Sequence, residues 1–108
     1  TMSKAVDDLR ILRAEYSRNI QIDDKGKQFN TDLLEAWELG CLLELAEVTA
    51  VSALARPESR GGHARDDYPK RNDKEWLKHT LCFLEDGKFH LDYKPVVLGR
   101  FEPKERVY

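Results

Sequence analysis

The sequence predicts a mainly α fold: a helical bundle of two long helices and a short helical turn, followed by an appended β-hairpin and an extended C-terminal tail. Three observations carry that prediction. Apolar residues recur every three or four positions over residues 3–17 and again over 30–56, the spacing that gathers them on the side of a helix. The pair Asp86-Gly87 stands between two short alternating runs, the strongest two-residue hairpin signal in the chain. The length of 108 residues, 41% of them apolar, provides for one modest core. The chain 1–108 is therefore expected to be a single domain.

In the first helix Val6, Leu9, Leu12 and Tyr16 form one stripe between charged neighbours, and Ser3 is the expected N-cap. Ile20 and Ile22 then alternate in a short extended link that Asp24, Lys25 and Gly26 turn. The second helix starts at Asn30, a good capping residue, and runs to Arg56 before Pro57 stops it. Its apolar residues are Leu33, Leu34, Trp37, Leu39, Leu42, Leu43, Leu45, Val48, Val51 and Leu54. They cover more than one stripe, so this helix needs neighbours on most sides. Gly40 weakens its middle by about 1 kcal/mol relative to alanine, which implies close packing or a bend there. Residues 57–73 form a loop, Asp73 caps a short helical turn, and 74–94 hold that turn and the hairpin. The turn register pairs Leu84 with Phe89, Cys82 with Leu91 and Thr80 with Tyr93 on the side expected to be covered, and Glu85 with Lys88 and Phe83 with His90 on the other. Residues 95–108 read as the extended tail.

Composition excludes several functions. The 18 lysines and arginines nearly balance 20 aspartates and glutamates, for a net charge of -2, which offers no overall attraction to nucleic acid or an acidic membrane. No apolar run approaches the roughly 20 residues that span a bilayer, and the reading is of a soluble, intracellular protein. Cys41 and Cys82 lack metal or disulfide spacing and are expected to be buried thiols. His63, His79 and His90 form no metal-ligand pattern, and the phosphate-binding and nucleophile motifs do not occur. Glu35 and Glu38 read as solvated helix-surface charges. The run ESRGGHARDDYPKRND, residues 58–73, is the chemically dense segment. Gly61-Gly62 could form an anion-binding nest of backbone amides flanked by Arg60, His63 and Arg65. The alternative is an irregular loop whose arginines pair with Asp66, Asp67 and the carbonyls at the end of the second helix. One Arg-Gly-Gly beside two aspartates is weak evidence for RNA binding.

Taken together, FNTDLLEAWELGCLLELAEVTAVSALA, ESRGGHARDDYP, RNDKEWLKHTL and LDYKPV resemble the C-terminal region of the succinate dehydrogenase and fumarate reductase flavoprotein subunits. The similarity runs from about residue 5 to the final KERVY; L-aspartate oxidase carries a looser version. Trp37, Cys41 and Pro57 depart modestly from the family pattern. The resemblance implies a helical domain, excised here from a longer flavoprotein, that stabilises and docks onto an FAD-binding domain of the same chain in the oxidation of succinate to fumarate. It implies an oxidoreductase only in the full-length chain, with FAD bound there and none in this fragment. It further implies an iron–sulfur subunit as partner, no direct membrane insertion, and a place on the cytoplasmic face of the bacterial inner membrane. No catalytic, cofactor or metal residue is transferred. Arg60, His63, Arg65, Asp67 and Tyr68 are the candidate interdomain docking residues. The rival readings are a related FAD-dependent oxidase such as L-aspartate oxidase, and a freestanding helical interaction module.

Overall fold

A computed structural model describes residues 1–104 of the chain. The elements are α1 (Met2–Asn19), α2 (Thr31–Leu54), α3 (Asp73–Trp76), β1 (Lys78–Glu85) and β2 (Lys88–Pro95). They fall into two compact units, Thr1–Leu54 and Ala55–Tyr108. The predicted element types and order are all present; the last residues of the expected tail, 105–108, lie outside the described residues.

The first unit is a helical hairpin. Arg13 of α1 reaches Glu47 late in α2, whereas Tyr16 reaches Ala36 early in it, so the two helices run antiparallel. The N-cap of α1 is Thr1 rather than Ser3: the helix begins at Met2, and the Lys4 amide donates to Thr1 Oγ1 at 3.3 Å. Asn30 caps α2 as expected, its Oδ1 accepting from the Leu33 amide at 2.9 Å. The helix stops at Leu54, two residues short of Arg56, whose carbonyl is turned toward the following loop and accepts from the Glu58 amide, His63 and Arg65. Glu35 and Glu38 are exposed, as read. Cys41 is exposed and Cys82 half-buried, so the expectation of two buried thiols holds for neither in full: α1 covers one side of α2, and Cys41 lies on another.

The core of this unit is thin. Val6 is its buried apolar residue, while Leu33, Leu34, Trp37, Leu42 and Leu45 are exposed along α2. At Gly40 the helices come close, since a Cβ there would stand 2.9 Å from ring atoms of Tyr16 and 2.7 Å from its hydroxyl. The Tyr16 hydroxyl donates to the Ala36 carbonyl at 2.6 Å from that position. Alanine at 40 would gain about 1 kcal/mol of helix propensity, but would displace the ring and its hydrogen bond, together worth about 2 kcal/mol. Gly40→Ala is therefore expected to lower the melting temperature. In a Tyr16→Ala background the same change should raise it, and a rise in both backgrounds would refute the close approach.

The second unit carries the hairpin. Its register pairs Leu84 with Phe89, Cys82 with Leu91, Thr80 with Tyr93, Glu85 with Lys88 and Phe83 with His90, all as the Asp86-Gly87 turn dictates. Both turn residues have positive φ, 50° and 74°, the signature of the type I′ turn whose twist matches the strands. Thr80, Cys82, Phe89 and Leu91 are half-buried on the face expected to be covered, Leu84 and Tyr93 of that face are exposed, and Phe83 stacks on His90 at 5.1 Å on the other. The short helix is capped by Asn72, whose Oδ1 accepts from the Glu75 amide at 3.1 Å, in place of the expected Asp73. Asp73 is the first helical residue instead and faces two arginines.

Candidate functional site

The loop between α2 and α3 is organised around Glu58, which is 0% exposed. A bare carboxylate there would be untenable, and its oxygens are fully engaged. Oε1 accepts from Arg56 Nε at 2.8 Å and Arg60 Nε at 2.9 Å; Oε2 accepts from Arg60 Nη2 at 3.0 Å and the Asn72 amide at 2.8 Å. Burial pushes the Glu58 carboxyl up, but the bonds from Arg60, the Asn72 amide and Arg56 outweigh it, so the group titrates below its ordinary 4.5. Arg60 continues outward to Asp73 at 2.6 Å, and Arg71 holds the same carboxylate through both Nε, at 2.8 Å, and Nη2. Arg71 and Arg60 together lower Asp73 from 3.8 to about 2.

Arg56 ties this network to the hairpin. Its Nη1 donates to the Lys78 carbonyl at 2.9 Å and to Thr80 Oγ1 at 3.2 Å, its Nη2 donates to the Trp76 carbonyl, and its guanidinium lies 5.3 Å from the Trp76 ring centroid. On the far side of the loop the Lys78 ammonium stands 4.4 Å from the centroids of both Trp76 and Tyr93, which meet edge to face.

The residues singled out from the sequence lie in this loop and bond to its own carboxylates and carbonyls. The Arg60 and His63 backbones exchange hydrogen bonds of 2.7 and 3.0 Å across Gly61-Gly62, with Gly61 at φ 57°. The Arg60 and His63 amides that flank the two glycines are taken up by each other's carbonyls, which narrows any anion nest here to the Gly61 and Gly62 amides. His63 Nε2 lies 3.0 Å from the Arg56 carbonyl, which can only accept, so that nitrogen carries a proton. Arg65 is bidentate to Asp67, at 2.8 and 2.5 Å, and its guanidinium covers the Tyr68 ring at 4.8 Å. Arg65 holds Asp67 below its ordinary carboxylate value. Ser59 pins the loop's centre, its Oγ accepting from the Arg65 amide at 2.9 Å and donating to the Tyr68 carbonyl at 2.8 Å. Asp66 is exposed, and Arg65 pairs with Asp67.

Two residues central to the loop, Glu58 and Arg56, were not among the candidates read from the sequence. The available signal was Arg56, Glu58 and Arg60 in alternation just after a helix-stopping proline, a pattern that places one carboxylate within reach of two guanidiniums. The second buried carboxylate, Glu47 with Arg10 and Arg13, is likewise absent from those candidates.

Comparison with known proteins places this geometry. The family model described as fumarate reductase flavoprotein C-term matches residues 1–108. The chain belongs to this family. It is 56% identical over 105 residues to the succinate dehydrogenase flavoprotein subunit of Rickettsia conorii, covering 90% of this chain and 17% of that one. It is 45% identical over 109 residues to the fumarate reductase flavoprotein subunit of Haemophilus influenzae, covering 100% of this chain and 18% of that one. A solved structure of a mutated E. coli quinol fumarate reductase superposes with a TM-score of 0.90 at 43% identity, covering 99% of this chain and 19% of that chain. The chain thus spans less than a fifth of the length of these relatives. Among its described residues no helix is long and apolar enough to cross a membrane.

Proposed function

We propose that residues 1–108 act as one C-terminal domain of a succinate dehydrogenase or fumarate reductase flavoprotein subunit, docking onto and stabilising the FAD-binding domain of the same polypeptide. In this reading the longer chain is the oxidoreductase that interconverts succinate and fumarate. It binds FAD, meets an iron–sulfur subunit, and works at the cytoplasmic face of a bacterial inner membrane. The observation that carries the reading is the exposed apolar face of α2: Leu33, Leu34, Trp37, Leu42 and Leu45 stand in solvent on a chain that spans under a fifth of its relatives.

The loop fits a docking surface better than a cofactor or substrate site. A dinucleotide phosphate would need convergent amides, and those flanking Gly61-Gly62 are closed on each other. A dicarboxylate would need cations, and the guanidiniums of Arg60 and Arg65 already grip Glu58, Asp73 and Asp67. FAD and substrate are therefore assigned to the remainder of the longer chain. What the loop offers a neighbouring domain is a rigid rim on which Tyr68 and Asp67 are exposed.

The test is a Trp37→Ser, Leu45→Ser double variant in the full-length flavoprotein. Its melting temperature and its resistance to protease ahead of the C-terminal domain should both fall, whereas the helical content of the 108-residue chain should be unchanged. Unaltered protease resistance in the full-length protein would remove the α2 face from the interface.

A further inference from the structure

Phe29 is 99% exposed and sits at φ 50°, in the left-handed region that bulky side chains avoid. Exposure alone is common in a loop, but a bulky residue at this backbone angle is an outlier, and the two together are costly. An aromatic ring gains nothing in water, and a strained backbone persists only where its surroundings over-determine it. Here they do. Asn30 Nδ2 donates to the carbonyls of Asp24 and Gly26, both at 3.0 Å, while its Oδ1 caps α2. The Asp24 amide donates to Asp32 Oδ2 at 3.1 Å, the Gly26 amide to Asp24 Oδ1 at 2.7 Å, and the Thr31 amide to the Phe29 carbonyl at 3.0 Å. The link between the helices is thus a built bracket, and it holds one ring outward at the start of the apolar face that Leu33 and Trp37 continue.

We propose that Phe29 is a pre-organised anchor which inserts into an apolar socket on the part of the longer flavoprotein chain outside these 108 residues. The proposal rests on the docking reading above and names its focal residue. The occupant is the remaining polypeptide because the relatives carry more than four-fifths of their length outside the matched region, and because the exposed α2 face begins at Leu33, four residues beyond Phe29. A tethered partner is also present at high effective concentration. Buried aromatic side chains are among those that dominate interface energetics, and one carried on a backbone already fixed gives up less freedom when it binds.

Strain gives this anchor a signature that an ordinary surface residue lacks. In the 108-residue chain Phe29→Gly relieves the backbone and removes a ring that touches nothing, so the melting temperature should rise, by roughly 3 to 8 °C. In the full-length flavoprotein the same change empties the socket, so the melting temperature and the protease resistance of the domain junction should fall. Phe29→Asn, which tolerates the same backbone angle, should reproduce both signs, and Phe29→Tyr, which keeps the ring, should move neither protein. A rise in both proteins would overturn the proposal, because Phe29 would then have no socket; a fall in both would overturn it, because the ring would then stabilise its own unit. If the Trp37→Ser, Leu45→Ser variant weakens the full-length protein while Phe29→Gly strengthens it, the anchor fails and the docking reading stands. If that double variant is silent as well, both fail.

Discussion

Replacing Glu58 with alanine is expected to destabilise the loop and hairpin by about 3–5 kcal/mol, the scale for removing one partner of a buried ion pair. Against a typical domain stability of about 5–15 kcal/mol that is enough to unfold much of the unit at moderate temperature. The reason is what the change strands: Arg56 and Arg60, 12% and 26% exposed, would lose the carboxylate between them and keep only the bonds to the hairpin and to Asp73, and the Asn72 amide would lose its acceptor. Urea unfolding and amide exchange in β1 should both report it, and a loss below about 1 kcal/mol would show that water replaces the carboxylate. The same group sets an acid limit. Its folded pKa lies below the ordinary 4.5, so its contribution is fully present above about pH 4.5 and is lost as pH falls through the folded value. Asp73, lowered from 3.8 to about 2, acts in the same direction at more acid pH. Stability should therefore decline as pH drops from about 4.5 toward 2, and Glu58→Gln should flatten the upper part of that decline.

Much of this architecture is legible in the sequence because it is set by short-range chemistry. Asp86-Gly87 admits one tight turn, and that turn fixes every cross-strand pair from Thr80 with Tyr93 inward. Asn30 caps α2 through a bond three residues long. α2 ends two residues before Arg56, because His63 and Arg65 take up the Arg56 carbonyl from the loop, which periodicity does not report. Thr1 rather than Ser3 caps α1 because two hydroxyl residues compete at that end and the helix takes the two extra residues. The candidate site was legible as a place but not as a chemistry. The density of arginines and aspartates in residues 58–73 marked the loop, yet whether a guanidinium meets a ligand or a neighbouring carboxylate turns on which acid is buried. Glu47 looks in sequence like the solvated Glu35 and Glu38, and only the approach of Arg10 and Arg13, distant along the chain, distinguishes it; Glu58 differs in having an arginine two residues away on either side.

Glu47 permits a sharper test of what a buried carboxylate contributes, because its partners differ from those of Glu58 in exposure. It is 4% exposed and receives Arg13 Nη1 at 2.6 Å and Arg10 Nε at 3.3 Å, but the Arg10 side chain is 59% exposed and that of Arg13 is 22%. If the carboxylate is removed, Arg10 returns to water at little cost, so Glu47→Ala should lose only about 1–2 kcal/mol. Leucine at 47 adds apolar contact between α1 and α2 where the carboxylate had to be desolvated, and Glu47→Leu is expected to lie within about 1 kcal/mol of the parent or to exceed it. Glu58→Leu should show no such recovery and should match Glu58→Ala, since its acceptor also satisfies a backbone amide that no alkyl group can. Parallel urea titrations of the four variants decide the point. Equal behaviour of the two leucine variants would mean that burial alone governs both sites; a gap of about 2 kcal/mol or more between them would show that Glu47 holds two helices together while Glu58 holds the loop's backbone in place.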